Sequence, residues 1–223
     1  MLVSDKAFII KKTPFKETSL ILNVLSRNGG LQSFVVKGAL RPKSPFLGIL
    51  EFLNEVEIYY NKKENTTLYT LFKADLIRDH FSLASSSGLL MDIGFLVQLT
   101  RRNIPFNEPV PALYQSFYYL LRGVEEKKGN KALLYYFLTL IQEMGLSLHL
   151  SGACSCGAKK SPYFNPENGS FYCEKCQKGR FVGEKMAFHL KTLADKKGKE
   201  IEITSRETKT YFDVLKEYLK FHK

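Results

Sequence analysis

Four cysteines, all within one short stretch, constrain this chain more than any other feature. Cys154-x-Cys156-Gly157 is followed, after sixteen residues, by Cys173-x-x-Cys176, and the sequence holds no other cysteine. Between the pairs lie turn formers (Pro162, Asn165, Pro166, Asn168, Gly169) and aromatics (Tyr163, Phe164, Phe171, Tyr172). A hairpin there carries two thiol pairs to one point, and four thiolates in a tetrahedron are the donor set of a closed structural Zn2+ site. Such a metal leaves no position for a substrate, so the function is to be sought elsewhere. Cys154, Cys156, Cys173 and Cys176 are the predicted ligands, with His149 and His189 as substitutes for a weak one. Two other readings stay open: a metal-free remnant of such a site, and two disulfides. Disulfides need export, and Met1-Leu2-Val3-Ser4-Asp5 has no basic segment ahead of an apolar core, so no signal peptide is expected and the thiols should stay reduced. The single residue between Cys154 and Cys156, where two are usual, tightens the first turn.

At 223 residues the chain is long enough for one large or two modest cores. No apolar run approaches the roughly 18 to 20 residues that span a bilayer, so a soluble, cytoplasmic protein with no membrane partner is expected. The formal charge of +11 is uneven: residues 1–50 carry eight Lys/Arg against two Asp/Glu, whereas residues 81–150 carry six against five. A cationic amino-terminal part suits a polyanion, because each Lys or Arg set on a phosphate releases a condensed counterion. A solvated basic surface would read the same way by charge alone.

The first 78 residues read as strands. Ala7–Ile10, Thr18–Leu25, Leu31–Val36, Phe52–Tyr60 and Leu68–Ile77 are apolar or alternating runs. A turn at Pro14, an Asn28-Gly29-Gly30 hairpin signal and a polar turn over residues 61–65 separate three of them. Between the third and fourth lies a basic Gly/Pro loop, Lys37-Gly38-Ala39-Leu40-Arg41-Pro42-Lys43-Ser44-Pro45. Five short strands with no helix between them predict a small closed barrel. From Phe81 the period becomes helical. Apolar faces run through Leu90, Ile93, Leu96 and Val97, then Leu113, Phe117, Leu120 and Leu121, ended by Gly129-Asn130, then Leu133, Leu134, Phe137 and Ile141, ended by Gly145. Glu184–Lys197 and Thr204–His222 read as two final helices. The fold class is α+β.

Catalytic signatures are missing. The sequence has no Walker loop, G-x-G-x-x-G, H-E-x-x-H or G-x-S-x-G, and only four histidines. Glu51, Glu55 and Glu57 lie close together but read as the solvent face of an edge strand. A binding protein is expected, not an enzyme. A barrel of this kind can track a single strand with cations and stack bases on aromatics, for which Phe15, Phe34, Phe46, Tyr59 and Tyr60 are available.

The order of parts resembles the bacterial DNA repair protein RecO family. The resemblance rests on Pro14-x-x-Glu17-Thr18-Ser19-Leu20, on Lys37-Gly38-Ala39-Leu40-Arg41-Pro42-Lys43-Ser44 with Gly48-Ile49-Leu50-Glu51-Phe52 after it, and on Glu143-Met144-Gly145-Leu146 running into the cysteines. Leu215-x-x-Tyr218-Leu219 also fits, and the likeness covers essentially the whole chain. It implies an OB-fold over residues 1–79, a helical domain over 80–223 and a zinc-ribbon-like module inserted at 150–182. It implies a recombination mediator that binds single- and double-stranded DNA and anneals complementary strands. The implied partners are RecR, the carboxy-terminal tail of single-stranded-DNA-binding protein and, indirectly, the RecA recombinase, in a nucleoid-associated setting. By position, Lys37, Arg41 and Lys43 would form the DNA-contacting loop, with Arg27, Lys11, Lys12 and Lys16 extending the patch. The tail groove would fall on the helical domain, with Arg101, Arg102 and Arg122 as its rim. An RNA-binding or transcription-associated barrel and zinc-ribbon protein is the alternative.

Overall fold

A computed structural model describes the chain apart from residues 63–65, 82–87, 151–153, 159, 196–200 and 223. The polar turn at 63–65 and the first residues after Phe81 therefore lie outside the described residues. Five strands, β1 (Leu2–Phe15), β2 (Ser19–Ser26), β3 (Gly30–Val36), β4 (Glu55–Asn61) and β5 (Leu68–Arg78), close a barrel in the order β1-β2-β3-β5-β4. This is the OB arrangement. Strand β1 is far longer than its apolar run suggested. Its first half pairs with β4 and its second half with β2, and a bulge between Ile9 and Lys11 re-aims the chain from one partner to the other. Pro14 sits inside the ladder opposite Leu20 rather than in a turn; the turn comes at residues 16–18, with Lys16 at φ 56°. The barrel closes through a parallel pairing of β3 with β5.

The barrel interior is aliphatic with an aromatic trio. The Phe34, Tyr60 and Tyr69 ring centroids lie 4.9 to 5.8 Å apart. The rest of the core is built by residues such as Ile9, Leu22, Val24, Val56, Ile58 and Leu71. Outside the barrel, Phe8 packs its ring on Tyr114 and Phe117 at 5.3 and 5.2 Å. Those two belong to α2 (Pro111–Glu125), which follows α1 (Leu90–Asn103). The connection between them runs along the barrel: Asn107 donates its backbone N–H to the Leu31 carbonyl at 2.7 Å. Gly30 is needed at that crossing, because a Cβ there would stand 1.8 Å from the Glu108 carbonyl oxygen and its φ is 66°. By contacts the chain divides into two compact units, Met1–Leu121 and Arg122–Lys223, so the first two helices pack with the barrel. Burying Phe8 against α2 joins the first two helices to the barrel.

In the second unit α3 (Gly129–Glu143) is buried on most sides and packs against α4 (Glu184–Ala194) and α5 (Ser205–Phe221). Gly129 opens α3 instead of closing α2; the break is at Lys127, with φ 59°. At the other end Gly145 and Leu146 donate to the Gln142 and Ile141 carbonyls at 2.9 and 3.1 Å, a Schellman closure. Helix α5 begins on a capping box: the Thr204 hydroxyl accepts from the Glu207 amide at 3.2 Å, and the Glu207 carboxylate accepts from the Thr204 amide at 2.9 Å. The Thr204 amide in turn holds the Glu207 carboxyl below its usual range. Thr204→Ala is expected to cost about 1 kcal/mol in a denaturant titration at pH 7. The carboxylate share of that contribution is present above the ordinary glutamate range and lost as pH falls below it.

Between α3 and α4 the chain forms a second, three-stranded sheet in the order β7-β6-β8, from β6 (Tyr163–Asn165), β7 (Ser170–Tyr172) and β8 (Arg180–Phe181). The hairpin follows the expected turn formers; the third strand was not expected. Phe164 and Phe171 pack at 5.0 Å on the inner face, and Phe164 reaches the Tyr218 ring of α5 at 6.5 Å. No described helix is long and apolar enough to cross a membrane.

Candidate nucleic-acid interface and metal centre

The basic loop is pinned from beneath. Ala39, Phe46 and Leu50 enter the barrel core, while Lys37, Leu40, Arg41, Pro42 and Lys43 face solvent. Successive turns hold its path: Arg41 and Ser44 donate backbone N–H groups to the Gly38 and Arg41 carbonyls at 3.2 and 3.0 Å. Leu40 donates to the Thr18 carbonyl at 2.9 Å, which ties the loop to the β1–β2 turn that carries Lys16. Gly38 has φ 70°, and the Arg41 side chain lies over its bare Cα. Apolar anchors and a tied tip fix the path of the backbone that carries the exposed cations.

The predicted cations do not all gather there. Lys16, Lys37 and Arg41 share one end of the barrel. Arg27 sits in the β2–β3 turn at the other end of β2, roughly 23 Å away at 3.3 Å per strand residue. Lys11 and Lys12 lie part-way along β1, opposite Asn23 and Leu22. Lys12 is ion-paired with Glu51, so its charge is offset within the protein. Lys16 stands 5.4 Å from the Phe15 ring centroid.

Of the five aromatics offered for stacking, Phe34, Phe46 and Tyr60 are core; only Phe15 is exposed, and Tyr59 is half-buried beneath Lys73. The acidic trio also reads differently. Glu51 precedes β4 and is exposed, whereas Glu55 is only 6 % exposed and lies 3.9 Å from buried His80. With the barrel closed, β4 has no free edge. Among the proposed groove residues, Arg122 is paired with Glu125 at 2.8 Å, and burial, then neighbouring Arg102, lowers the Arg101 guanidinium.

The four cysteines converge. All are free thiols, and their Sγ atoms lie within 4.8 Å of one another, with Cys156 and Cys173 3.5 Å apart. Four sulfurs bound at about 2.3 Å around one tetrahedral ion would stand roughly 3.8 Å apart, so the set fits Zn2+ with a small contraction. Each pair is held by a tight turn: Gly157 donates to the Cys154 carbonyl and Gln177 to the Cys173 carbonyl, both at 2.9 Å. The short Cys154–Cys156 spacing is accommodated by Gly157, whose φ is 86°. Backbone N–H groups of Cys156 and Cys173 lower the Cys154 thiol to about 6, while hydrogen bonding to Cys154, Cys156 and Cys173 pushes Cys176 up to about 12. Four thiols held this close together are a donor set that could hold a metal ion. Neither histidine joins the cluster among the described residues, and the His189 ring meets the Tyr211 hydroxyl at 3.1 Å.

The family models called recombination protein O N terminal and C terminal match residues 1–80 and 91–222. The chain belongs to the recombination protein O family. Proteins named DNA repair protein RecO are similar to it over most of its length. The Nitrosospira multiformis protein is 30 % identical over 79 % of this chain and 69 % of its own. The Bartonella quintana protein is 27 % identical over 82 % and 74 %. The Cupriavidus pinatubonensis protein is 28 % identical over 73 % of this chain but only 56 % of its own length. The first match ends just after β5, the second begins at the start of α1, and the cysteine module lies inside the second.

Proposed function

We propose that this chain is a recombination mediator that grips single- and double-stranded DNA by the backbone and anneals complementary strands. The observation that carries this reading is the pinned basic loop: Lys37, Arg41 and Lys43 stand exposed on a turn whose apolar residues belong to the barrel core. Lys16 joins them at the same barrel end, and Lys11 extends the surface along β1. Cations aimed at phosphates read no sequence, which is what pairing of arbitrary strands requires. Annealing makes and breaks no covalent bond. The protein lowers the repulsion between two polyanions and raises their local concentration.

In this reading Cys154, Cys156, Cys173 and Cys176 hold a structural Zn2+ that supplies the cross-link of the three-stranded module. Residues 1–79 grip DNA, residues 80–223 offer surface to proteins, and the module at 150–182 is built into that second part. The partners are RecR and the acidic tail of single-stranded-DNA-binding protein, and through them RecA. Family membership and the names of the relatives support the assignment to recombination and DNA repair. The test is strand annealing of two complementary 50-nucleotide strands over a salt series, with and without cognate single-strand-binding protein. Acceleration of pairing that fades steeply between 50 and 300 mM salt is the expected result. A rate equal to that without protein at every salt would refute the reading.

A further inference from the structure

Aromatic side chains of the barrel are largely sunk in its core, yet the small sheet beside the cysteines exposes a row of them. Tyr163 of β6 is directly opposite Tyr172 of β7 on one side and Phe181 of β8 on the other. Residues opposite one another in a sheet share a face, so the three rings stand abreast. The other face is the packed one: Phe164 and Phe171 are buried there. Phe181 is 66 % exposed, and Tyr163 and Tyr172 are half-buried.

Exposed aromatics on a module this small need a reason. The rings are held in place: Tyr163 and Phe181 meet edge to face at 5.5 Å, and Asn168 donates to the Tyr172 hydroxyl at 2.7 Å. The third strand exists only because Gly179 allows it, since a Cβ there would stand 2.2 Å from the Phe164 carbonyl oxygen. That glycine places Phe181 beside Tyr163 and sets Lys178 at the edge of the row, its ammonium 5.9 Å from the Tyr172 centroid. Lys175 and Lys178 are exposed and make no ion pair among the described residues. The surrounding unit is cationic as well: residues 122–223 carry nineteen Lys/Arg against twelve Asp/Glu, while residues 1–121 carry fourteen against ten.

We infer that Tyr163, Tyr172 and Phe181 form a platform on which unpaired nucleobases of single-stranded DNA stack, with Lys178 set for the adjoining phosphate. Three strands at about 4.8 Å spacing give a row roughly 10 Å wide, room for two or three bases. Exposed Lys178 at the edge of the row and the net positive charge of the unit suit an anionic strand. The work is divided: the barrel loop grips backbone in either single or double strands, and this row senses whether bases are free. The inference rests on the nucleic-acid reading above and adds a second site to it.

The chain contains no tryptophan, so Phe181→Trp in the full-length protein gives a unique fluorophore at the centre of the question. It is titrated with a 30-nucleotide oligothymidylate and with an abasic oligonucleotide of the same length, and anisotropy of labelled strands follows binding in parallel. The expected result is quenching by oligothymidylate and none by the abasic strand. Phe181→Ala should weaken oligothymidylate binding about 5- to 10-fold, as expected for losing one stacked base. Its affinity for the abasic strand and for duplex should stay unchanged. Phe188→Ala, which removes another exposed ring, on α4, should change neither. Binding of oligothymidylate with an unquenched tryptophan, or equal losses for abasic and normal strands, overturns the platform and leaves the row to a protein partner. Absence of binding to any oligonucleotide by the unaltered protein would instead overturn the nucleic-acid reading, and the platform with it.

Discussion

Replacing Lys37, Arg41 and Lys43 together by Glu should lower the affinity for a 30-base-pair duplex by about 100-fold or more at 100 mM salt. Each contributes to the salt slope at about 0.9 per phosphate neutralised, and reversal adds repulsion to the lost attraction. The fold should not suffer. The three side chains are exposed, and the loop is held by Ala39, Phe46, Leu50 and the Leu40–Thr18 hydrogen bond, none of which is altered. Surface changes of this kind keep stability within about 1 kcal/mol. Arg27→Glu is the matched control, since that residue lies at the opposite barrel end, and it should cost far less. A filter-binding or anisotropy titration that gives the triple variant its original affinity and salt slope would remove the loop from the interface.

Cys173→Ser should collapse the small sheet while leaving the barrel intact. Cys173 is buried, and its thiol is lowered chiefly by the Cys176 backbone N–H, so it is at once a candidate ligand and part of the module's packing. Structural zinc contributes about 10 to 16 kcal/mol of apparent binding free energy in isolated finger peptides at neutral pH. Here Phe164 and Phe171 against Tyr218 provide some packing without metal, so the loss is local. Zinc content should fall to near zero, and limited proteolysis should cut within residues 154–182 while a fragment holding the barrel survives. Treating the unaltered protein with a chelator should produce the same cuts. An unchanged melting temperature and an uncut module after chelation would show that the four thiols do not depend on a metal.

Much of this architecture is legible in the amino-acid order, and the failures have physical causes. Cysteine spacing survives tertiary context because thiolate geometry admits few solutions, so the cluster was predictable residue by residue. Helix ends were legible where capping chemistry is local, as at Thr204 and Gly145. Gly129 misled because glycine serves equally at the start of one helix and the end of another. Pro14 misled because a proline near a strand end needs only that its missing N–H face away from the partner. Lys12 and Glu51 are thirty-nine positions apart, and no local pattern announces their pairing. The same holds for Glu55, which reads as solvent-facing until the chain places His80 beside it. Strand β8 is two residues long, too short for any period, and so the aromatic row was hidden although each of its members was visible.

The parallel seam between β3 and β5 carries a consequence for synthesis. Its partners are about thirty-five positions apart, with Ser33 facing Leu68 and Val36 facing Leu71. Distant pairings of this sort form late and slowly. The anchors under the basic loop belong to the interior that this seam seals. A polypeptide emerging from the ribosome therefore exposes its lysines and arginines long before anything fastens them, and the loop gains its fixed path only after translation past residue 71.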